Sequence, residues 1–503
     1  SFSGTASFVD FIKDAKGITI DRELPVLTKA EDFVWKGHSY ELGFVCHDVQ
    51  NLLAFAAPGL YIENGTSLNA NITAKGDMNV NLRSGRMAIR RNYLKGIEMN
   101  IDNANHVIKG EVRCDEISIA NMKMADNLLQ LYAHNNRIGA GYSFDNHTDN
   151  ETSGEFIING LISEDEDNHV FEFDIKPSSL KYNSKEWSIQ PSHIRIDGSD
   201  ITVDSFGATS GEEFISLHGK TSGNYGDVLS LHLERFDINA INSLLPSDFG
   251  VKGAVTGTAK LTSPINDINF DMDLLCDSTY IANIPVGEIR LGTEWNDDDR
   301  RFDFYAHNLM DGRNNLNAIG YFSPKNKYLD AAVDLDRLQV GYAQPFLKDI
   351  FGEMDGYISG SLNAKGPFNQ MSISSTDTRL EDAVLKVAYT GVPYKASGKF
   401  HLDEYGVYFD DIDIRDRYTG TGKITGSINY DHFRNINFDT RISVNQIEAV
   451  CLAEKENESF YGNLFGSGNI HLAGPIQALV MHIDANTVKE GQLHIPTQYT
   501  SIS

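Results

Sequence analysis

The residues with the most reactive side chains are scattered rather than grouped. Cysteines stand at Cys46, Cys114, Cys276 and Cys451, and no two are closer than 68 residues. No Cys-x-x-Cys pair or Cys/His ligand spacing occurs, so a zinc site is not expected. Each cysteine sits in an apolar stretch, as in Leu274-Leu275-Cys276 and Val450-Cys451-Leu452, which is the setting of a buried free thiol. The 15 histidines follow no local ligand pattern; His38 and His47, or His134 and His147, read as satisfied or surface imidazoles. Two acidic runs, Asp297-Asp298-Asp299 and Asp410-Asp411-Ile412-Asp413, could suggest calcium, but neither has EF-hand spacing. They read as acidic turns on the wet side of strands. No Gly-x-Ser-x-Gly elbow is present. Ala364-Lys365-Gly366-Pro367 is no phosphate loop, because Gly-x4-Gly-Lys-Ser/Thr does not occur. No catalytic residue, no metal and no cofactor are therefore expected, and the chain is read as no enzyme. Glycosylation sequons at Asn64, Asn71, Asn146, Asn150 and Asn457 would matter only in a secreted eukaryotic chain.

Charge narrows the partners. The chain has 43 basic and 70 acidic residues, a net charge of -27. Nucleic acid and anionic membrane surfaces both reward Lys and Arg, so neither is an expected partner. The length of 503 residues exceeds one hydrophobic core and suggests three to five units. No run of about 18 apolar residues marks a membrane span, and Ser1 opens no signal peptide. Ser1–Phe8 and Thr500–Ser503 both have a strand-like rhythm, so a segment of a longer protein is expected.

What the chain offers instead is alternation. Leu229, Leu231 and Leu233 alternate with polar residues, as do Phe270, Met272 and Leu274, and Leu329, Ala331, Val333 and Leu335. Ile436, Phe438, Thr440, Ile442 and Val444 alternate with Asn437, Asp439, Arg441 and Ser443. A period of two places these on strands with one apolar and one wet face. Turn residues separate them at short intervals, which predicts antiparallel neighbours.

A pattern of glycine and proline recurs along these strands. Seven residues separate Gly257 from Pro264, Gly360 from Pro367 and Gly468 from Pro475. Earlier glycines stand at Gly253, Gly356 and Gly466, and Pro285, Pro393 and Pro496 follow later. The period is 103 residues and then 108, so a whole module repeats. Each module also carries an amphipathic stretch that reads as a short helix: Ile238–Leu245, Tyr342–Ile350 and Ile447–Leu452. Asp48–Pro58 holds the corresponding place in a more degenerate first unit, where Ala74-Lys75-Gly76 matches Ala364-Lys365-Gly366. The expected units are 1–160, 161–252, 253–355, 356–461 and 462–503, in one continuous body.

The expected fold is therefore all-β: mainly antiparallel strands with a few short flanking helices, stacked as repeats into an elongated, curved β-groove with an apolar interior. Some 40 strands at a spacing of ~4.8 Å would run roughly 190 Å. Periodicity alone leaves two outcomes open, a filled core or an open trough. An open trough suits acyl chains, which need dryness and length but no hydrogen-bond partners. Its wall would be the inward residues Leu231, Leu233, Phe270, Met272, Phe302 and Phe304, followed by Val333, Leu335, Phe438, Ile442, Ile470 and Leu472.

Phe460–Pro475 and its sequel Ile483–Pro496 resemble the C-terminal region of the TamB family, within the AsmA-like superfamily, in its Bacteroidota-type form. The likeness extends through Leu231–Leu245 and the Gly-Pro strands, and is strongest from about residue 187 onward. The resemblance implies a curved β-groove, the β-taco, in the periplasm of a Gram-negative bacterium. It implies an inner-membrane anchor that this segment lacks, and phospholipid as cargo. It also implies an outer-membrane barrel of the Omp85 class, TamA-like, as the partner of the missing C-terminal end. A scaffold for assembling outer-membrane barrels and autotransporters is the alternative role. A closed β-solenoid adhesin is disfavoured by the long period.

Overall fold

A computed structural model describes residues 1–28, 33–50, 53, 57, 59–90, 92–119, 122–145, 152–165, 168–182, 185–224, 226–239, 251–262, 269–281, 283–348, 350–367, 370–431, 434–457, 459–488 and 490–496. Pro264, Asn146, His147, Asn150 and the strand expected at Thr500–Ser503 lie outside them. The alternating segments are strands, and the pairings among them are antiparallel, so the fold is all-β. In Arg434–Leu452, Asn437, Asp439, Arg441 and Ser443 are exposed while the residues between them are covered or half-covered. The chain forms two compact units, Ser1–Asp248 with Val255–Phe270, and Phe249–Ala254 with Asp271–Ser503.

The first unit begins with β1 (Phe2–Gly4), β2 (Tyr40–Val45), β3 (Leu60–Ile62), β4 (Ser67–Ile72), β5 (Met78–Ile89) and β6 (Asn92–Asp102). It continues through β7 (Ile108–Ile119), β8 (Met122–His134), β9 (Arg137–Phe144), β10 (Ser153–Asp165) and β11 (Asn168–Ile175). It ends with β12 (Ser178–Tyr182), β13 (Lys185–Ile189), β14 (Ser192–Asp197), β15 (Asp200–Ser210), β16 (Glu213–Thr221) and β17 (Leu229–Asp237). β18 (Lys252–Leu261) contributes residues to both units.

The second unit contains β19 (Phe270–Ile281), β20 (Ile284–Asn296), β21 (Arg301–Leu309), β22 (Leu316–Ser323) and β23 (Tyr328–Gln339). Next come β24 (Phe351–Pro367), β25 (Ser372–Ser374), β26 (Arg379–Val387), β27 (Pro393–Asp403) and β28 (Gly406–Arg415). β29 (Thr421–Asp431), β30 (Arg434–Leu452), β31 (Tyr461–Pro475), β32 (Val480–Thr487) and β33 (Gln492–His494) complete it.

Several rungs are split opposite one long strand. β10 pairs with both β11 and β12, β15 with β13 and β14, and β24 with β25 and β26. Pro177 and Pro191 stand at two of the breaks, where a missing N–H interrupts the ladder. Elsewhere the strands bend at bulges, and these explain the repeated glycines. At four strand positions, three of them at register shifts, a residue takes a left-handed backbone: Arg235, Arg337, Asp382 and Gln446, with φ of 49°, 52°, 51° and 53°. Each donates its N–H, which the ladder no longer satisfies, to a hydroxyl on a later strand. The acceptors are Thr256, Ser359, Ser397 and Ser467, at 3.0, 3.0, 3.0 and 2.7 Å. Every acceptor immediately precedes a glycine: Gly257, Gly360, Gly398 or Gly468. A Cβ on Gly398 would come within 2.2 Å of the Asp411 carbonyl oxygen, and one on Gly468 within 2.1 Å of that of Asp484. Three of the four donor–acceptor pairs span 21, 22 and 21 residues, so the device recurs with the sequence period.

Three expectations are corrected. Ile447–Leu452 is no helix; it continues β30 and pairs with β31 as Ile447↔Gly466, Glu448↔Phe465 and Leu452↔Gly462. Register shifts after Val444 and Glu448 bring Ile447, Val450 and Leu452 into buried positions, so spacing that suits a helix here suits a bulged strand. By contrast, Tyr342–Ile350 does contain helix: a tight turn at Val340–Ala343 leads into α3 (Gln344–Leu347). Ile238 and Asn239 make one tight turn and Gln50 and Leu53 are helical, but most of those two stretches lies outside the described residues. Second, the strand rhythm at the start holds only for β1. Ser7 and Asp10 form a reciprocal capping box that opens α1 (Phe8–Lys16), followed by a wider helical turn (Gly17–Asp21) and α2 (Pro25–Thr28). Third, Asp410-Asp411 sits in a mid-strand bulge of β28 rather than in a turn, with Lys423 2.9 Å from both Asp411 carboxylate oxygens. Cys46, Cys114 and Cys276 are buried free thiols and Cys451 is half-buried.

Removing one bulge acceptor tests the device. Ser467→Ala is expected to lower stability by about 1 kcal/mol, read as a shift in the urea midpoint. Gly468→Ala is expected to lower it further, because its Cβ has no room.

Candidate functional site

In each unit the apolar face of the strands is the candidate site. Hydrogen-bond register lines up one apolar row across nine strands of the second unit. It starts at Leu338 on β23 and runs through Ile358, Leu380, Gly398 and Ile412. It goes on through Ile424, Ile442 and Ile470 to Ile483 on β32. A shorter row, Leu274, Leu291, Ala306, Ala318, Val333 and Leu362, crosses β19 to β24 on the same side. The opposite face is wet, with Asp273, Asp334, Asp439 and Arg441 exposed.

The structure places nine of the twelve proposed wall residues on this one face: Met272, Phe302, Phe304, Val333, Leu335, Phe438, Ile442, Ile470 and Leu472. Ile442 lies directly opposite Ile470. Phe302 faces Trp295, their ring centroids 4.7 Å apart, and is buried, as is Leu335. The other seven are half-buried. Phe270, also half-buried, heads β19, and Leu231 and Leu233 lie on β17 opposite Leu217 and Ile215.

The second unit has a closely buried cluster in the crook where β26 to β30 meet. Ala396, Ile412, Ile414 and Ile447 form a closed cluster, and Leu380, Phe400, Ile424 and Ile442 pack on it while keeping some exposure. Farther out, Ile483 is 63% exposed. Most other residues of the row are half-buried.

Beside the crook lies a charged lock. Glu448 is fully buried, and its carboxylate accepts from Arg417 Nε and Nη2 at 3.0 and 2.7 Å and from Asn463 Nδ2 at 2.7 Å. Asp416 accepts from the Glu448 N–H, and Tyr394 donates to the Glu448 carbonyl. Burial, with these two carboxylates beside it, pushes the Tyr394 phenol far above its ordinary pKa. These hydrogen bonds tie the turn after β28 to β30 and so fix the pairing there.

In the first unit an equivalent row runs Leu42, Ala70, Val80, Ile101, Gly110 and Leu131 across β2, β4, β5, β6, β7 and β8. The N-terminal helices lie over its beginning. Phe11 and Ile18 close on Tyr40, Ala70, Ile72 and Met78, with Leu42, Val80 and Ile101 packed against them. Leu131, beyond this cover, is 42% exposed. The helical segment is tied to successive hairpin ends. Asn103 Nδ2 donates to the Ile18 carbonyl, the Asn136 N–H to the Glu23 carbonyl, and the Val26 N–H to Asn136 Oδ1. Under α1, Asp14 Oδ2 sits 2.7 Å from both His38 Nδ1 and the Tyr40 hydroxyl. Burial first, then Asp14, raises the Tyr40 pKa. In that trio Asp14 and Tyr40 are buried, while the His38 side chain keeps 28% exposure. The buried Glu23 carboxylate accepts from Arg22 and contacts His134 Nδ1 at 2.8 Å, and with the His106 carbonyl it raises the His134 pKa.

Among the described residues no three His, Cys, Asp or Glu side chains are grouped to hold a metal, and no helix is long and apolar enough to cross a membrane. No family model, curated protein or solved structure matches this chain. Sequence reasoning found the apolar face but not its cover. The Ser7–Asp10 capping box and the helical spacing of Phe8, Phe11, Ala15 and Ile18 were the available signal.

The lock and the cover are separately testable. Arg417→Met leaves Glu448 buried and unpaired and is expected to cost about 3–5 kcal/mol, most of it recovered by adding Glu448→Gln, both read by denaturant titration. His134 has a folded pKa above its ordinary value, so its tie to Glu23 contributes fully below the ordinary value and is lost as pH rises through the raised one. Hydrogen-exchange protection of Phe8–Thr28, corrected for intrinsic rate, is expected to fall over that rise. In His134→Gln this dependence is expected to vanish.

Proposed function

We propose that this chain is a non-enzymatic carrier surface for phospholipid, along which acyl chains slide on the inward apolar face while headgroups stay at the polar rim. The observation that carries the reading is the row from Leu338 to Ile483: nine consecutive rungs, apolar except for Gly398, mostly half-buried. Such a row offers dispersion contact along its whole length and no hydrogen-bond partner to stop a chain at one place. The outward acidic excess keeps the wet face soluble. The TamB-like resemblance of Phe460–Pro475 supports the wider setting: a periplasmic segment of an inner-membrane-anchored protein, bridging to an outer-membrane barrel of the Omp85 class and serving outer-membrane homeostasis.

The same resemblance also admits a second reading, a scaffold for the assembly of outer-membrane strands.

Ile442→Glu combined with Ile470→Glu places two like charges face to face in the row. Because both sites are half-exposed, the variant is expected to fold, keeping its thermal midpoint within a few degrees of wild type. It is expected to lose phospholipid seen by native mass spectrometry and transfer of labelled phospholipid between vesicles. Unfolding of the variant would indicate a filled core, and undiminished transfer would rule out this face as the path. A photocrosslinker on β32 that captures nascent barrel segments, with no lipid at Ile442, would favour the scaffold.

A further inference from the structure

The first unit carries a hollow of 810 Å³, lined mainly by outward residues such as Asn100, Glu111, Gln130, Tyr132, Gly141 and Asn159. It spans β6 to β10, and β9 forms its floor with Gly139 and Gly141. A Cβ on Gly141 would meet nothing within 4 Å, so the floor is open there. A Cβ on Gly139 would fall 1.7 Å from Tyr132 Cε1, because the tyrosine ring lies directly over that glycine. The ring is 42% exposed, and its hydroxyl donates to Asn159 Oδ1 at 3.2 Å.

Polar groups surround the ring. Gln130 Nε2 donates to Glu111 Oε2 at 3.3 Å and Arg113 Nε to Glu111 Oε1 at 2.8 Å. Arg113 first, then Gln130, holds the Glu111 carboxyl below its usual range, so it remains a charged acceptor. Asn100 adds an exposed amide opposite Glu111. β7, β8 and β9 are each hydrogen-bonded on both sides, which leaves no backbone edge for a peptide strand. The lining acids Asp102, Glu111 and Glu155 outweigh Lys109, which disfavours phosphates and other anions.

An exposed aromatic ring beside amide and carboxylate groups, in a hollow of ligand size, suits an uncharged ligand with apolar ring faces and a girdle of hydroxyls. We propose that this hollow binds a neutral oligosaccharide, with one pyranose ring stacked on Tyr132 and its hydroxyls shared among Glu111, Gln130, Asn100 and Asn159. The site is independent of the phospholipid reading and stands or falls without it.

The whole chain would be titrated calorimetrically with cellotetraose, chitotetraose and maltotetraose. Saturable binding of at least one is expected. Gly141→Leu adds a side chain where a Cβ meets nothing within 4 Å, between the cross-strand neighbours Gln130 and Ile157, and is expected to abolish that binding at a thermal midpoint within a few degrees of wild type. Tyr132→Ala is expected to weaken it about tenfold, as loss of one stacked ring should, while Tyr132→Phe keeps it nearly intact. Failure of all three sugars to saturate, or binding that survives Gly141→Leu, would overturn the proposal.

Discussion

The fold depends on how a strand bends without losing a hydrogen bond. A bulge strands one backbone N–H, and leaving it buried and unpaired would cost about 1–3 kcal/mol. Here the N–H of Arg235, Arg337, Asp382 or Gln446 is taken up by a hydroxyl on a later strand. The glycine after each hydroxyl lets the bent backbone close in; at Gly398 and Gly468 a neighbouring carbonyl stands where a side chain would be. Serine or threonine satisfies the donor and glycine makes the room, so the two residue types are needed together.

That bend decides where apolar side chains go. With it, the inward residues of β26 to β30 converge on Ala396, Ile412, Ile414 and Ile447, and the crook becomes dry. Beyond that cluster Ile442 and Ile470, paired across β30 and β31, are half-buried. Arg417, itself half-exposed, pairs with the buried Glu448 and ties the turn after β28 to β30, a contact whose value lies in geometry more than in net stability. In the first unit the corresponding face is sealed at its start by α1 and the turns after it. The first unit thus has a covered stretch of this face, and the second a dry cluster flanked by half-buried apolar residues.

The two faces of the sheet separate two chemistries. The inner one is apolar and offers dispersion alone. The outer one is acidic for most of its length, but at Tyr132 an aromatic ring covers a glycine and stands among amides. Tyr305 stands over Gly292 in a similar way in the second unit, with Asp273 as its hydroxyl partner. A ring over a strand glycine is a packing device in its own right. What sets the first instance apart is the empty floor at Gly141 beside it.

The sequence by itself determined the strands, their faces and the repeat. In β30 the residues from Ile436 to Val444 must alternate, because successive side chains on a strand point to opposite sides. The seven-residue Gly-Pro spacing marked equivalent strands, though not why glycine was needed: the N–H that demands its neighbouring hydroxyl lies 21 or 22 residues away in three cases. Ile447–Leu452 shows where local pattern fails. Apolar spacing of three and four residues fits a helix, yet pairing with β31 and the Glu448 lock make it strand. The cover over Ala70 and Ile72 was equally out of reach, since it comes from Phe11 and Ile18, some 60 residues earlier in the chain. Periodicity depends on local geometry and is legible in sequence. Burial depends on which distant segment arrives to exclude water, and only the tertiary structure decided that.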